Sequence, residues 1–292
     1  MVESPVTWIM LPAFNEEVAL KSLLPKIHQV FNDQGRRYRI VVVNDGSTDN
    51  SQAILDQLAQ SIHLDVVTHC INRGLGETER DGFEYIAARC SPMDSIVRLD
   101  CDDTHEPSYI FCLLDKLDEG FDVVIASRFQ EGGGQVGVNA YRATISYLAN
   151  LFMKVLFNIP QIREYSCGYR AYRAKAIQSA VLVFGNGFIQ LKGLGFTSTL
   201  ETIVKLKLLG CSFAEVPFVL RYDKKTSVSK MISSVTTLGY FTMAILYHWP
   251  WGGWRYFYGN LAETYQKNPE YAVNAYRPGM LKRSSVCRIG GG

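Results

Sequence analysis

The chain has 292 residues, 47% of them apolar, a formal net charge of +2 and seven cysteines. That much apolar material builds the core of one large α/β domain, or of a domain with an appendage. The near-neutral balance, with no dense run of Lys or Arg, excludes a nucleic-acid binder, so phosphate contacts should be local.

The cysteines (Cys70, Cys90, Cys101, Cys112, Cys167, Cys211 and Cys287) form no CxxC and no Cys/His ligand spacing. Reduced thiols in a cytosolic protein are the reading. The opening Met-Val-Glu-Ser-Pro has neither a basic n-region nor a sufficient apolar stretch, which predicts a cytoplasmic chain without a signal peptide.

In chain order, Val6 to Leu11 is a strand closed by Pro12, followed by a helix to Val30 with Asn15 as its N-cap and Glu16 and Glu17 in the first turn. Arg39 to Val43 is a β-branched strand that empties into Asn44-Asp45-Gly46-Ser47-Thr48-Asp49 before a helix from about Ser51 to Gln60. Leu64 to Thr68 is a third strand, Asn72-Arg73-Gly74-Leu75-Gly76 a turn, and Thr78 to Arg89 a helix. After a fourth strand come a helix from Pro107 to Leu117 and a strand from Asp122 to Ala126. Alternation of this kind predicts a mostly parallel sheet with right-handed crossovers.

The fourth strand carries the chemistry. Ile-Val-Arg-Leu-Asp-Cys-Asp-Asp-Thr-His, residues 96 to 105, is an apolar run with Arg98 interposed, stopped by Asp100, Asp102 and Asp103. Open α/β sheets hold ligands at such C-terminal strand ends. Carboxylates two residues apart in extended chain point the same way, so Asp100 and Asp102 can face one hard cation, Mg²⁺ or Mn²⁺. A solvated loop after a strand fits the same residues, and context must decide. His105 is either a further metal ligand or a hydrogen-bonding neighbour.

Gly132-Gly133-Gly134-Gln135-Val136-Gly137 satisfies GxGxxG in letters only, because Phe129 to Glu131 separate it from the strand and no acid stands about 20 residues on. It reads as a mobile glycine-rich loop. Ile145, Leu148, Ala149, Phe152, Val155, Leu156 and Ile159 recur at helical spacing and predict an amphipathic helix over 143–158. A further helix from about Thr197 to Leu209 carries Glu201. Val235 to Trp249 is apolar but ends at Pro250, short of a membrane span. Trp249, Trp251, Trp254, Tyr256, Phe257 and Tyr258 have the composition of a membrane-interface segment, with packing on the domain or on a second subunit as the competing reading. The final Arg-Ile-Gly-Gly-Gly reads as disordered.

Five motifs, Pro-Ala-Phe-Asn-Glu-Glu, Val-Val-Asn-Asp-Gly-Ser-Thr-Asp, Asn-Arg-Gly-Leu-Gly, Asp-Cys-Asp-Asp-Thr-His-Glu-Pro and Ala-Ser-Arg-Phe, stand in the order and spacing of family 2 glycosyltransferases. Ser166 to Arg173, Glu215-Val216-Pro217, Arg221 and Ser227-Val228-Ser229-Lys230-Met231 resemble the dolichyl-phosphate mannose synthase branch. The resemblance covers roughly residues 6 to 231. It implies a GT-A (Rossmann-like) domain over 1–231 and leaves 232–292 as a C-terminal helical, aromatic segment.

By the same resemblance Pro12, Phe14, Glu16, Val43 and Asp45 line the nucleotide base and ribose. Asp100 and Asp102 hold the metal against the diphosphate, with Cys101 and Thr104 beside them. Arg128, Arg142, Arg221 and Lys230 supply cations for phosphates. Asn44 and Glu164 replace acids of other length or charge, Glu77 replaces a small residue, and Ser-Val-Ser-Lys replaces Gly-Glu-Ser-Lys.

The implied activity is inverting transfer from a nucleotide-diphosphate sugar, GDP-mannose or a UDP-sugar, to a polyprenyl phosphate, with the enzyme peripheral at the membrane. A hydroxyl acceptor on the same donor would need Glu201 as general base, unless Glu201 is a structural ion-pair member. A silent nucleotide-binding module would keep Asp45 yet lose the metal pair. An NAD-dependent oxidoreductase would need glycines where this chain has Pro-Ala-Phe-Asn-Glu.

Overall fold

The computed structural model describes residues 4–225 and 233–277. Period-two alternation in its strands fixes the layers. In β1 (Thr7–Ala13) Trp8 and Met10 belong to one apolar cluster and Ile9 and Leu11 to another, and all four are buried. A strand buried on both faces needs helices on both sides.

On the side of Ile9 and Leu11 lie α1 (Glu17–Asp33), α2 (Ser51–Leu58) and α4 (Tyr109–Asp118), through Leu20, Leu24, Ile54, Ile110 and Leu114. Facing Trp8 and Met10 are α3 (Leu75–Ala87), α6 (Ala174–Phe184) and α7 (Thr197–Leu208). The C-terminal helices α8 (Ser233–His248), α9 (Gly253–Phe257), α10 (Leu261–Lys267) and α11 (Pro269–Tyr276) extend that layer, with Met243, Tyr258, Leu261 and Ala272 in its cluster.

Seven strands form the sheet in the order β3-β2-β1-β4-β7-β5-β8. Here β2 is Tyr38–Asn44, β3 Leu64–Thr68, β4 Ser95–Arg98, β5 Val123–Ser127, β7 Arg170–Arg173 and β8 Phe213–Pro217. All neighbours are parallel except at β7, which is antiparallel to both β4 and β5. The expected α/β, mostly parallel arrangement is present, and β7 was not visible in the sequence.

Three local expectations are corrected. Pro12 does not close β1, which runs on to Ala13. The Pro12 nitrogen turns toward the β4 side, and the β1–β4 ladder ends there, at Met10 and Arg98, where proline offers no N–H. Asn15 does not cap α1. It lies at φ 50 before the helix, and its side chain bonds Thr48. The first turn is instead held by Asp49, which accepts from the Glu17 amide at 3.2 Å, while Glu17 accepts from Asn50 at 3.0 and 2.9 Å. The glycine-rich segment is ordered in part: Gly134–Val136 is a short strand, β6, parallel to β9 (Val219–Arg221).

The predicted amphipathic helix is α5 (Ala140–Phe157), started by Asn139, whose side chain accepts from the Arg142 amide at 2.8 Å. Asn150, Met153 and Phe157 form its buried edge, whereas Tyr147, Leu148, Leu151 and Val155 are exposed. Leu238, Phe241 and Ile245 of α8 are exposed too, and Phe241 meets Phe152 of α5 with ring centroids 5.3 Å apart. None of the described helices is long and apolar enough to cross a membrane.

The two edges of α5 predict opposite stability effects. Phe157→Ala should cost about 3 to 5 kcal/mol and Leu148→Ala less than about 0.5 kcal/mol in denaturant unfolding. Equal losses would contradict this exposure.

Candidate active site

The site residues come together because β1, β2 and β4 end on one edge of the sheet. Pro12 and Val43 are direct neighbours across β1 and β2, and the Asp45 amide donates to the Ala13 carbonyl at 2.8 Å. Glu16 and Val43 are buried and Phe14 is half-buried beside them. Asp45 is buried and already engaged. It accepts from His69 Nδ1 at 2.7 Å and from the Arg73 and Gly74 amides, each at 2.8 Å. Its carboxylate therefore shapes the Asn72-Arg73-Gly74 turn and keeps lone-pair capacity for a ligand. Asn44 ties Gln52 to the Ser47 amide, and Glu77 pairs with Arg80 and Lys192, each at 2.7 Å.

Beyond β4, each of the two expected carboxylates has one oxygen fixed by the protein. Asp100 Oδ1 is bound by Arg98 Nη1 at 2.5 Å. Asp102 Oδ1 accepts from Thr104, at 2.6 Å from the hydroxyl and 3.2 Å from the amide. The second oxygen of Asp102 holds the ammonium of Lys225. Burial pushes the Asp100 carboxyl up, but Arg98, His105 and Lys225 more than reverse this and hold it below its usual value.

Arg98 itself is buried within β4, paired with Glu79 of α3 at 2.9 Å on its other side. Gly168 gives it room, since a Cβ there would lie 1.7 Å from Arg98 Nη1. His105 receives the Asp100 amide at Nδ1, 3.0 Å away, and stacks on Tyr169 with centroids 5.0 Å apart. Burial lowers its pKa, against the pull of Asp100 and Asp102. Asp103 faces away and binds Lys26 and Ser22 of α1. Cys101 is buried in the apolar cluster on the side of α1 and α4.

The predicted cations are distributed unequally. Arg128 is fixed bidentately by Glu164 at 2.7 and 2.9 Å and also donates to Ser166. Glu164, longer than an Asp, spans that distance. Burial raises the Glu164 carboxyl, and Arg128 outweighs it, so the carboxyl lies below its usual value. Arg142 donates to the Tyr222 hydroxyl at 3.0 Å. Arg221 is half-buried, its guanidinium bound to Asp223 at 2.9 and 2.8 Å and its amide donating to the Thr104 carbonyl at 3.3 Å. Lys230 and the Ser227 to Met231 loop lie outside the described residues, as do the boundary at 231 and the C-terminal glycines.

Glu201 has no exposed side-chain surface. It accepts from the Gln190 and Leu191 amides at 3.0 and 2.8 Å and faces Lys205 at 3.9 Å. Burial raises the Glu201 carboxyl and lowers the Lys205 ammonium. Sequence reasoning missed Glu79, His69 and Lys225. Arg98 was noticed as interposed in an apolar run, but its pairing with Glu79 and Asp100 was not.

A doubly wound sheet with paired carboxylates at its C-terminal edge is the GT-A glycosyltransferase arrangement. The family model of glycosyl transferase family 2 matches residues 8–180, and the chain belongs to that family. It is 29% identical over 230 residues to the polyprenol monophosphomannose synthase of Mycolicibacterium smegmatis, covering 78% of this chain and 82% of the relative. It is 28% identical over 211 residues to the dolichol-phosphate mannosyltransferase of Pyrococcus furiosus, covering 72% of this chain but only 55% of that relative. Among solved structures, glucosyl-3-phosphoglycerate synthase from Mycobacterium tuberculosis with Mn²⁺, UDP and phosphoglyceric acid aligns with TM-score 0.57 at 18% identity, over 84% of this chain and 78% of that one.

The Arg128–Glu164 pair gives a pH test. Glu164→Gln leaves Arg128 buried without its counter-charge and should cost about 3 to 5 kcal/mol at pH 7. The folded carboxyl has a lowered pKa, so its contribution is complete above the unfolded value near about 4.3 and is lost as pH falls through the folded value. The stability gap between the two proteins should accordingly narrow in urea melts below about pH 4. A gap that stays constant down to the acid limit would contradict the pairing.

Proposed function

We propose that this glycosyltransferase is inverting and metal-dependent, and that it moves a sugar from a nucleotide-diphosphate sugar to a polyprenyl phosphate at a membrane surface. One juxtaposition carries the reading. The Tyr222 ring has the Arg142 guanidinium 5.9 Å and the Lys225 ammonium 5.8 Å from its centroid, and Lys225 sits on Asp102. A cation suited to an acceptor phosphate thus borders the carboxylates suited to the donor, across one aromatic ring. Arg142 stands in the first turn of α5, whose exposed apolar face continues away from it. The names of the two relatives specify a polyprenol or dolichol phosphate, which supports the same acceptor class here.

The carboxylate pair fits a hard divalent cation, Mg²⁺ or Mn²⁺. Each carboxylate is oriented through one oxygen, and a cation of the chain itself already rests on the other oxygen of Asp102. When bound, such an ion supplies charge neutralisation to the leaving diphosphate. Arg98 keeps Asp100 ionised for it and Thr104 sets the rotation of Asp102. Pro12, Phe14, Glu16, Val43 and Asp45 line the nucleotide, with Asp45 also holding the turn beside it.

On the acceptor side a polyprenyl phosphate arrives as an anion, so attack needs orientation by Arg142 and Arg128 and no proton removal. This leaves Glu201 with its structural task of fixing the Gln190–Leu191 turn against α7. The exposed faces of α5 and α8, with Trp249 and Trp251 beyond them, are the surface that would rest on lipid.

The test is transfer at saturating donor. Asp102→Ala should lose about 10² to 10³ in rate, as should metal removal with EDTA. Arg142→Ala should cut use of polyprenyl phosphate by about 10²-fold, while folded Glu201→Gln retains it. Collapse in Glu201→Gln beside an active Arg142→Ala would point to a hydroxyl acceptor.

A further inference from the structure

Arg221 ends β9, and Lys224 and Lys225 follow it closely. Two are engaged outside the carboxylate pair: Arg221 with Asp223, and Lys224 with Glu106 at 2.5 Å. Lys225 turns inward. It pairs with Asp102 where both side chains are largely buried, 14% and 13% exposed, and it is also attracted by Asp100. Its ammonium also lies 5.8 Å from the Tyr222 ring centroid, so a cation of the chain stands within the site.

Formal charge in this cluster is nearly balanced. Asp100 shares Arg98 with Glu79 and Asp102 is matched by Lys225, so three carboxylates face two cations. A lone dication meets little net negative charge there and must strip an ammonium from its partner in a poorly solvated place. A dication arriving with a nucleotide diphosphate is different, because the diphosphate offers the displaced ammonium a new anion.

We infer that Lys225 is a counter-ion that changes partners, resting on Asp102 before the donor binds and on the donor diphosphate afterwards. The inference rests on reading Asp100 and Asp102 as the carboxylates of the donor's metal. Before binding, Lys225 screens the two acids from each other and keeps the site from trapping metal without substrate. Afterwards it stands as a point charge by the leaving group, where negative charge grows.

Titration calorimetry of Mn²⁺ into the full chain, alone and with GDP or UDP, tests this in wild type, Lys225→Met and Lys225→Arg. Wild type should bind Mn²⁺ weakly alone and more tightly with the nucleotide it prefers. Lys225→Met should bind Mn²⁺ alone on the order of tenfold tighter, and gain correspondingly less from nucleotide. Lys225→Arg should stay near wild type. Damage to the fold does not tighten metal binding, and Lys225→Gln carries the same expectation should the Met variant fail to fold. If Lys225→Met binds Mn²⁺ alone no better than wild type while nucleotide tightens both, Lys225 is not the counter-ion and the metal carboxylates stand. If no variant binds Mn²⁺ with either nucleotide, the metal reading itself falls.

Discussion

An ion chain centred on a buried arginine, Glu79–Arg98–Asp100, is the constraint on which the rest of this structure depends. An arginine with almost no exposed surface in a central strand is tolerated only when its charge is matched on both sides, because one uncompensated buried charge costs several kcal/mol. Glu79 fixes α3 against the sheet, Asp100 fixes the exit of β4, and Gly168, just before β7, leaves the space that the guanidinium fills. The same contact that secures the core thereby sets the ionisation and rotation of a proposed ligand carboxylate.

Around that chain the site is built from charges that are already partnered. Arg128 meets Glu164, Lys225 meets Asp102, Arg221 meets Asp223, and Asp45 is spanned by His69 and two amides. Such pairing preorganises the cleft, since each group is held where a charged ligand can exchange for its partner instead of having to order a loose side chain. It also explains why formal counting of cations near the acids overstates how many are available to phosphate. Arg142, bound only through the neutral Tyr222 hydroxyl among the contacts described, is the cation best placed to accept an anion from outside.

Much of the fold was legible because the strands are short apolar runs ending in polar turns. The β3 limits coincide with the expectation, and β1, β2 and β5 differ by one or two residues. The antiparallel β7 was missed because Arg170 and Arg173 give it a polar look. Both arginines donate to carbonyls, Arg170 to Tyr165 and Arg173 to Phe121, which only tertiary structure reveals. The β6 strand hid inside glycines because its partner β9 lies far along the chain. In the site, the spacing of Asp100 and Asp102 marked them as a candidate pair, and only the neighbouring motifs favoured that reading over a solvated loop. Lys225 was not findable in this way, since its partner is 123 residues away and nothing local marks it.

The exposed apolar faces of α5 and α8 and the cation cluster at Tyr222 bear on one claim, that the acceptor is a lipid phosphate. The most direct measurement is the identity of the product. The purified chain, with Mn²⁺ and a panel of GDP- and UDP-sugars, is incubated with polyprenyl phosphate in vesicles alongside free saccharide acceptors, and products are read by mass spectrometry before and after mild acid. The account predicts one hexosyl group joined to the lipid through phosphate, released by mild acid. Transfer to a saccharide hydroxyl, with the lipid phosphate untouched, would contradict it.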